Sequence, residues 1–219
     1  IRTCARAQIR TVMITGDHKN TAAAIARQAG LLRGKKAMTG AELDALTDAQ
    51  LDACLDEYSV FARVNPGHKL RLVRAYRRRG EIVAMTGDGV NDAPALKAAD
   101  IGIAMGKNGT DTARSASDMI LADDNFATIK KAIEEGRGIY GNIKKAILFL
   151  LSSNFGEIIT MFTAVILGLG TPLKASHILW INLITDSLPA LALGVDKNDT
   201  KSLMRRPPRI SSESLFVHG

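Results

Sequence analysis

Two long stretches of this sequence are almost free of charge, and they limit the possible folds more than any other feature. Residues 146–173 contain one ionisable side chain, Glu157, and residues 178–195 contain one, Asp186. A helix needs roughly 20 apolar residues to cross a bilayer, and only helices and closed barrels satisfy their backbone groups inside lipid. The sequence therefore predicts a transmembrane helical hairpin over residues 146–195.

Each apolar stretch carries oxygen-bearing side chains at helical spacing. Asn154 and Glu157 are three residues apart, so they share one helix face. The same holds for Asn182, Thr185 and Asp186, at positions i, i+3 and i+4. Carboxylates are costly in a membrane and indicate an ion path or binding site, and oxygen ligands suit calcium or another hard cation. Hydrogen bonding between neighbouring helices is the structural alternative.

Basic residues flank both outer ends of the predicted hairpin. Lys144 and Lys145 precede it, residues 197–209 carry five lysines or arginines, and the connecting loop has only Lys174 and a histidine. Because basic loops stay on the cytoplasmic side, both termini are predicted to be cytoplasmic. This topological role explains the net charge of +7 better than nucleic-acid binding does. Pro189 is expected to interrupt helix hydrogen bonding near Asp186.

The more charged residues 1–145 alternate short apolar runs with helical patterns. Strands are predicted at 11–14, 59–62, 82–85, 101–105 and 118–121. Helices are predicted from an apolar stripe at Ala22, Ile25, Ala26 and Ala29, from capping boxes beginning at Thr39 and Thr47, and over His68–Arg79. Such alternation predicts an α/β fold with a parallel sheet over residues 1–124. Residues 125–145 are predicted to form a stalk helix that leads into the first membrane segment.

Polar side chains gather where the predicted strands end or just after. They are Thr15, Gly16 and Asp17 after the first strand, Lys69 near the start of the helix that follows the second strand, and Asp88, Asn91 and Asp92 after the third strand. Open α/β sheets bind ligands at this edge. A threonine hydroxyl and backbone N–H groups can hold phosphoryl oxygens, lysine supplies positive charge, and carboxylates hold magnesium. Together they predict a phosphoryl-transfer site, although each alone is also typical of an ordinary turn or a solvated lysine.

A phosphoryl site joined by a stalk to cation ligands in a membrane resembles the P-type cation-transporting ATPases, most closely the sarco/endoplasmic reticulum-type calcium ATPases. The resemblance covers almost the whole chain and implies a haloacid-dehalogenase-like fold for the sheet region. The motifs that carry it are Thr15-Gly16-Asp17, Phe61-Ala62-Arg63 with Pro66 and Lys69, Met85 to Leu96, Ser152 to Glu157, Trp180 to Asp186, and Arg206-Pro207-Pro208-Arg209.

This resemblance implies a role for each candidate residue. Thr15 and Gly16 contact the phosphoryl group beside Asp17, Lys69 neutralises its charge, and Asp88 holds magnesium. Asn91 and Asp92 complete the hydrogen bonding around it. The implied ligands of the transported cation are Asn154, Glu157, Asn182, Thr185 and Asp186. ATP and Mg²⁺ are the implied cofactors and Ca²⁺ the transported ion; the partners are the lipid bilayer and the remainder of the pump, with no nucleic acid.

The chain contains no Asp-Lys-Thr-Gly-Thr segment, which the family phosphorylates, and it does not begin with Met. We therefore expect a piece of a pump that neither hydrolyses ATP nor transports by itself, with residues 196–219 as a cytoplasmic loop or tail. The expected location is the plasma membrane in a bacterium and an internal or plasma membrane elsewhere. A membrane-tethered phosphatase of the same superfamily and a non-catalytic pump homologue remain the alternatives.

Overall fold

The computed structural model describes residues 1–32, 34–197 and 199–208. These residues form two compact units, the first made of Ile1–Lys131 with residues 204–208 and the second made of Ala132–Leu203. Arg209 and the remainder of the predicted tail lie outside the described residues.

The first unit contains six described strands in chain order: β1 (Met13–Ile14), β2 (Lys36–Thr39), β3 (Tyr58–Ala62), β4 (Ala84–Gly87), β5 (Ile101–Met105) and β6 (Met119–Leu121). Its described helices are α1 (Arg2–Arg6), α2 (Lys19–Gln28), α3 (Gly40–Asp44), α4 (Asp48–Cys54), α5 (Pro66–Arg78), α6 (Ala93–Ala98) and α7 (Asp111–Ser115). Short 3₁₀ turns occupy Leu55–Glu57 and Val90–Asp92.

All strand pairs are parallel, as predicted, but the strands are divided between two sheets rather than joined in one. The first sheet has the order β1-β3-β2 and the second the order β4-β5-β6. Ile14 pairs with Phe61 in the first sheet, and Ala84 pairs with Ile101 in the second. The sequence analysis missed β2, because Met38 is its only buried residue and the strand begins with an exposed lysine.

Local signals placed most helices correctly. Both predicted capping boxes form, with the Thr39 and Thr47 hydroxyls each accepting from the backbone N–H three residues on. α5 begins two residues earlier than predicted, since Pro66 occupies its first position and the Asn65 side chain accepts from the His68 N–H at 2.9 Å. The apolar stripe of α2 was wrong at Ile25, which is 45% exposed.

The cores of the first unit lie on the sheets. Phe61 of β3 is fully buried with leucines from α3, α4 and α5, and Met85 of β4 packs with Leu96 of α6. Ile14, in the edge strand β1, and Val83, just before the edge strand β4, each contact both of these clusters. Packing therefore holds the edges of the two sheets near each other although no strand pairing joins them in the described residues.

The second unit is built on α8 (Phe126–Ile166), which begins in the first unit and runs for 41 residues. It continues through Gly136, Gly138 and Gly141, so the predicted stalk and first apolar segment form one helix. Its N-terminus is capped by Asn125, whose Oδ1 accepts from the Ala127 N–H at 2.9 Å. In the described residues α8 is the one helix long and apolar enough to cross a membrane.

The second apolar segment is helical but divided, whereas the first belongs to one continuous helix. It contains α9 (Ala175–Trp180), a π-helical turn (Ile181–Thr185) and α10 (Ser187–Gly194), followed by α11 (Thr200–Leu203). The Asp186 N–H donates to the Ile181 carbonyl at 2.9 Å, which is the wide i to i+5 spacing. The predicted interruption near Asp186 is confirmed.

Candidate functional site

The turn after β4 places one carboxylate inside the protein and one outside. Asp92 is only 5% exposed, and its Oδ2 accepts from the N–H groups of Asp88 and Gly89 at 3.4 and 3.3 Å. Gly87 allows this close approach, because a Cβ there would lie 2.5 Å from the Asp92 Cβ. The chain thus wraps the turn around the Asp92 carboxylate, while Asp88 and Asn91 remain exposed.

Lys69 forms an ion pair with this buried carboxylate. Its Nζ lies 2.5 Å from Asp92 Oδ1, and the two side chains are 19% and 7% exposed. The Asn65 side chain caps the first turn of α5, and Lys69 follows that turn with its ammonium group in contact with the turn after β4. Two of the sequence-predicted site residues are therefore brought into direct contact, with three donors on the two oxygens of Asp92.

Thr15, Gly16 and Asp17 form a second turn, directly after β1. The Thr15 hydroxyl donates to Asp17 Oδ2 at 2.9 Å and accepts from the Asp17 N–H at 3.1 Å. The chain after β3 holds this turn, since the Arg63 N–H donates to the Asp17 carbonyl at 2.9 Å and Arg63 itself has φ of 50°. Among the described residues, no hydrogen bond links this turn to Lys69, Asp88 or Asp92.

A cavity of about 180 Å³ separates the two sheets beside these turns. Its walls include Ile14 next to the Thr15 turn, Thr86 next to the Asp88 turn, and Lys69. Both predicted groups of phosphate-binding residues therefore border the same space, one from each sheet.

Tyr76 of α5 also lines this cavity and carries an unsatisfied polar atom. Its ring is 7% exposed, and its hydroxyl is buried with no hydrogen-bond partner in the described part of the chain. Burial raises the pKa of Tyr76 to about 12, against the opposing effect of the Arg10 guanidinium 5.2 Å from the ring centre. A buried hydroxyl without a partner is costly, so the cavity wall is polar at a point where the protein supplies no acceptor.

Asp88 and its neighbours fit a magnesium ion in chemical terms. The Asp88 carboxylate is exposed and makes no protein hydrogen bond among the described residues, so its oxygens remain free for a ligand. Carboxylate oxygens are the ligands that Mg²⁺ takes together with substrate phosphates and water. Lys69 beside it offers positive charge to the same phosphate group.

Two residues that support this turn were missed in the sequence analysis. The Thr110 N–H donates to the Asp88 carbonyl at 2.8 Å, and Asp124 accepts from three backbone N–H groups of the loop after β5. The run Asp123-Asp124-Asn125, just before α8, is typical of a helix cap, a task that Asn125 performs. Nothing in the local pattern marks Asp124 as the residue that holds a distant loop.

The second unit brings together part of the predicted cation site. Asn182 Nδ2 donates to Glu157 Oε2 at 3.4 Å, which joins α8 to the π-helical turn. Asp186, 3% exposed, ends that turn. Glu157 Oε1 and Asp186 Oδ2 are both buried and have no hydrogen-bond partner among the described residues. Buried carboxylate oxygens without donors are strongly unfavourable, and a cation bound beside either oxygen would compensate it.

The other two predicted ligands are not part of this cluster. Asn154 is exposed and its Nδ2 donates to the Leu150 carbonyl of its own helix at 2.8 Å, while Thr185 is exposed. No group of three or more His, Cys, Asp or Glu side chains gathers anywhere in the described residues. The structure therefore supplies two acids and one amide, fewer ligands than the five expected.

Family models match both the sheet region and the C-terminal part of the chain. Residues 1–100 and residues 68–133 match models described as haloacid dehalogenase-like hydrolase, and residues 170–219 match the cation-transporting ATPase C-terminus. The first two matches cover both parallel sheets and the turns after β1 and β4, and the third includes the π-helical turn with Asp186.

Curated relatives match almost the entire chain. Calcium-transporting ATPase 1 of Bacillus cereus is 59% identical over 99% of this chain, and calcium-transporting ATPase of Bacillus subtilis is 54% identical over 99%. Endoplasmic reticulum calcium ATPase srcA of Aspergillus fumigatus is 49% identical over 98%. The aligned regions are 24%, 24% and 22% of those proteins, so the chain spans about a quarter of the length of the curated relatives it matches.

Proposed function

The chain belongs to the P-type cation-transporting ATPases, and we propose from that premise that the protein carrying it uses ATP to export calcium from the cytosol. The observation that carries the proposal is the pair of buried, unpartnered oxygens on Glu157 and Asp186. A carboxylate is held in such a place when a cation satisfies it. The relatives named as calcium transporters support calcium as that cation.

In this proposal the first unit handles the phosphoryl group. Thr15 and the N–H groups of its turn bind phosphoryl oxygens, and Lys69 places positive charge beside them. Asp92 keeps Lys69 in position and, by accepting from Asp88 and Gly89, fixes the turn that carries Asp88. Asp88 would hold Mg²⁺, which supplies neutralisation of phosphate charge when bound. Asn91 is the neighbouring hydrogen-bond donor.

The phosphate acceptor is supplied by a segment that this chain does not contain. We place the family's Asp-Lys-Thr-Gly-Thr segment, in the complete protein, in the cavity between β1 and β4. Both edge strands run parallel to their neighbours and border that cavity, so an inserted parallel strand would join the two sheets. Such a strand would also offer an acceptor to the Tyr76 hydroxyl. Its carboxyl end would lie near Thr15 and Asp88, where the aspartate would meet the phosphoryl group.

The second unit handles the cation. Glu157, Asn182 and Asp186 form the centre of the proposed calcium site, and Ca²⁺ takes six to eight oxygen ligands. Asn154 would join by giving up its bond to the Leu150 carbonyl, and Thr185 by turning inward. The divided second segment supports this role, because irregular helices in membranes occur where they line a cavity.

The membrane assignment rests on α8 and on the apolar segment at 178–195. We propose that both cross the bilayer and that both termini of this chain are cytoplasmic, as the basic residues on their outer ends favour. The phosphoryl site is then on the side where ATP is found. In a bacterium the membrane would be the plasma membrane.

Labelling of the uncut native protein in membranes with radiolabelled ATP tests the proposal. We expect a calcium-dependent label that hydroxylamine removes, since an acyl phosphate is sensitive to hydroxylamine. Asp88→Asn should abolish the label, and Glu57→Gln, an exposed carboxylate paired with Lys36, should keep it. No label from folded protein would contradict the pump and favour a cation-binding homologue without catalysis.

A further inference from the structure

Asp124 closes a loop that contacts the backbone of the proposed magnesium ligand. Its Oδ1 accepts from the N–H groups of Gly106 and Lys107 at 2.7 and 3.0 Å, and its Oδ2 accepts from Asn108 at 2.8 Å. Three donors converging on one carboxylate favour its charged form, and the Lys107 N–H, with those of Asn108 and Gly106, holds the pKa of Asp124 below its ordinary value.

The backbone of Asp124 is held in an uncommon conformation to make these contacts. Its φ is 52°, in the left-handed region that residues other than glycine seldom adopt. Such a conformation persists where surrounding contacts determine it. Here the Asp124 N–H donates to the Leu121 carbonyl at 3.2 Å, at the end of β6. The residue is thus fixed to the sheet at the same time as it holds the loop.

The loop that Asp124 holds is tightly folded against β5. A Cβ on Gly106 would lie 2.7 Å from the Leu121 carbonyl oxygen, and one on Gly109 would lie 2.0 Å from the Met105 carbonyl oxygen. Arg114 adds a second restraint by donating to the Gly106 carbonyl at 2.6 Å. The loop has little freedom while the Asp124 bonds remain.

The far end of this loop reaches the turn after β4. The Thr110 N–H donates to the Asp88 carbonyl at 2.8 Å, and the Thr110 side chain accepts from the Ala113 N–H to begin α7. Asp88 is therefore restrained from two sides, by Asp92 through its N–H and by Thr110 through its carbonyl.

We propose that Asp124 is a positioning residue for the magnesium site. By holding the backbone of residues 106–108, it fixes the position of the Thr110 N–H, and that N–H in turn fixes the position of the Asp88 carbonyl. This inference rests on the proposed function for the role of Asp88. The hydrogen bonds from residues 106–108 to Asp124 and from Thr110 to Asp88 do not depend on that role. Outer partners that orient a metal ligand typically change metal affinity by about 10- to 100-fold when removed.

The test compares Asp124→Ala with Asp123→Asn in the complete membrane protein. Asp123 is the matched control, because it is the adjacent carboxylate and its side-chain hydrogen bonds among the described residues, from the Asn125 N–H and the Thr128 hydroxyl, lie at the start of α8 and not on the backbone of the loop after β5. We expect Asp124→Ala to raise the Mg²⁺ concentration for half-maximal labelling by ATP about tenfold. Saturating Mg²⁺ should restore the wild-type level of label, which a general loss of folded protein would not allow. The control should leave the Mg²⁺ dependence unchanged.

Amide hydrogen exchange provides a readout that does not need activity. Asp124→Ala should speed exchange at Thr110 and reduce the protection that Mg²⁺ gives to residues 87–92, and Asp123→Asn should do neither. An unchanged Mg²⁺ dependence and unchanged Thr110 exchange in folded Asp124→Ala protein would overturn the inference. If wild-type protein takes no label but the exchange changes occur, the pump proposal fails and the positioning role stands.

Discussion

Asp92 and Asp186 are both buried carboxylates, but the protein treats them in opposite ways. Asp92 has a lysine and two backbone N–H groups on its oxygens, whereas Asp186 keeps one buried oxygen without a donor. Removing a charge from water is unfavourable unless nearby groups compensate it. The chain itself therefore compensates the buried carboxylate of the proposed phosphoryl site, while that of the proposed cation site keeps an oxygen that a bound cation would compensate.

This contrast predicts that the two sites respond differently to loss of their acids. In the first unit the acid is a structural partner as well as a part of the site. In the second, where one carboxylate oxygen has no donor, we expect the acid to oppose folding until an ion is present.

Asp92→Ala should destabilise the first unit by up to about 3 kcal/mol, the lower end of the range for a broken buried pair, because it leaves the Lys69 ammonium, 19% exposed, without its counterion. The denaturant midpoint, followed by pulse proteolysis, measures this. Adding Lys69→Met should recover part of the loss, since no buried charge then remains. A loss below about 1 kcal/mol, which is typical of exposed ion pairs, would contradict the interpretation of Lys69–Asp92 as a structural pair.

Asp186→Asn should weaken calcium activation of the complete protein about hundredfold, equivalent to about 2.7 kcal/mol. Without calcium the same substitution should leave stability unchanged or increased, because it removes an unpaired buried charge. Calcium-dependent labelling and thermal inactivation measure the two effects. Thr160→Val, which alters a hydroxyl bonded to its own helix, is the control. If Asp186→Asn destabilised the cation-free protein as Asp92→Ala does, the contrast would be lost.

Tyr76→Phe should change stability by about 1 kcal/mol, with a sign that depends on what fills the cavity. In this chain alone it should stabilise, since it removes a buried hydroxyl that has no partner. In the complete protein it should destabilise, if an inserted strand accepts from that hydroxyl. Parallel denaturation of the two proteins measures this. The same sign in both would argue against the strand.

The smallest expected effect on stability comes from Asp56, an exposed carboxylate that pairs with Arg79. The Arg79 guanidinium, helped by Arg10, holds the pKa of Asp56 below its ordinary 3.8. Because the folded pKa is lowered, the stabilisation is present above pH 3.8 and is lost as pH falls through the folded pKa. Asp56→Asn should therefore reduce the acid dependence of unfolding by under about 1 kcal/mol. A larger change would show that the exposed Asp56–Arg79 pair stabilises the protein as strongly as Lys69–Asp92 does, so the difference in exposure between the two pairs would not matter.

Sequence patterns predicted the features that depend on neighbouring residues. The two capping boxes, the turn after β4 and the interruption before Pro189 all arise from side chains within a few positions of each other. Features made by distant backbone contacts were not predictable in this way. The Thr110–Asp88 bond and the Asp124 clamp join separate loops through amide groups that every residue possesses, so no residue type marks them.

The same limit explains the incomplete cation site. Helical spacing placed Asn154 on the face of Glu157, but it could not show that the Asn154 amide bonds to the carbonyl of Leu150 instead. Likewise, the division into two sheets depends on which strands pair with each other. The sequence of the short strand β1 does not indicate that β3 is its one paired neighbour among the described strands.

The π-helical turn at Ile181–Thr185 has a consequence for changes in chain length. A π turn contains one residue more than an α turn over the same path, and each residue of an α-helix advances its side chains by about 100°. Deleting a single residue between Asn182 and Asp186 would therefore let the helix become regular over the same path, so α10 would keep its place. The same deletion within a regular α-helical stretch such as α8 would rotate every group that follows by that angle.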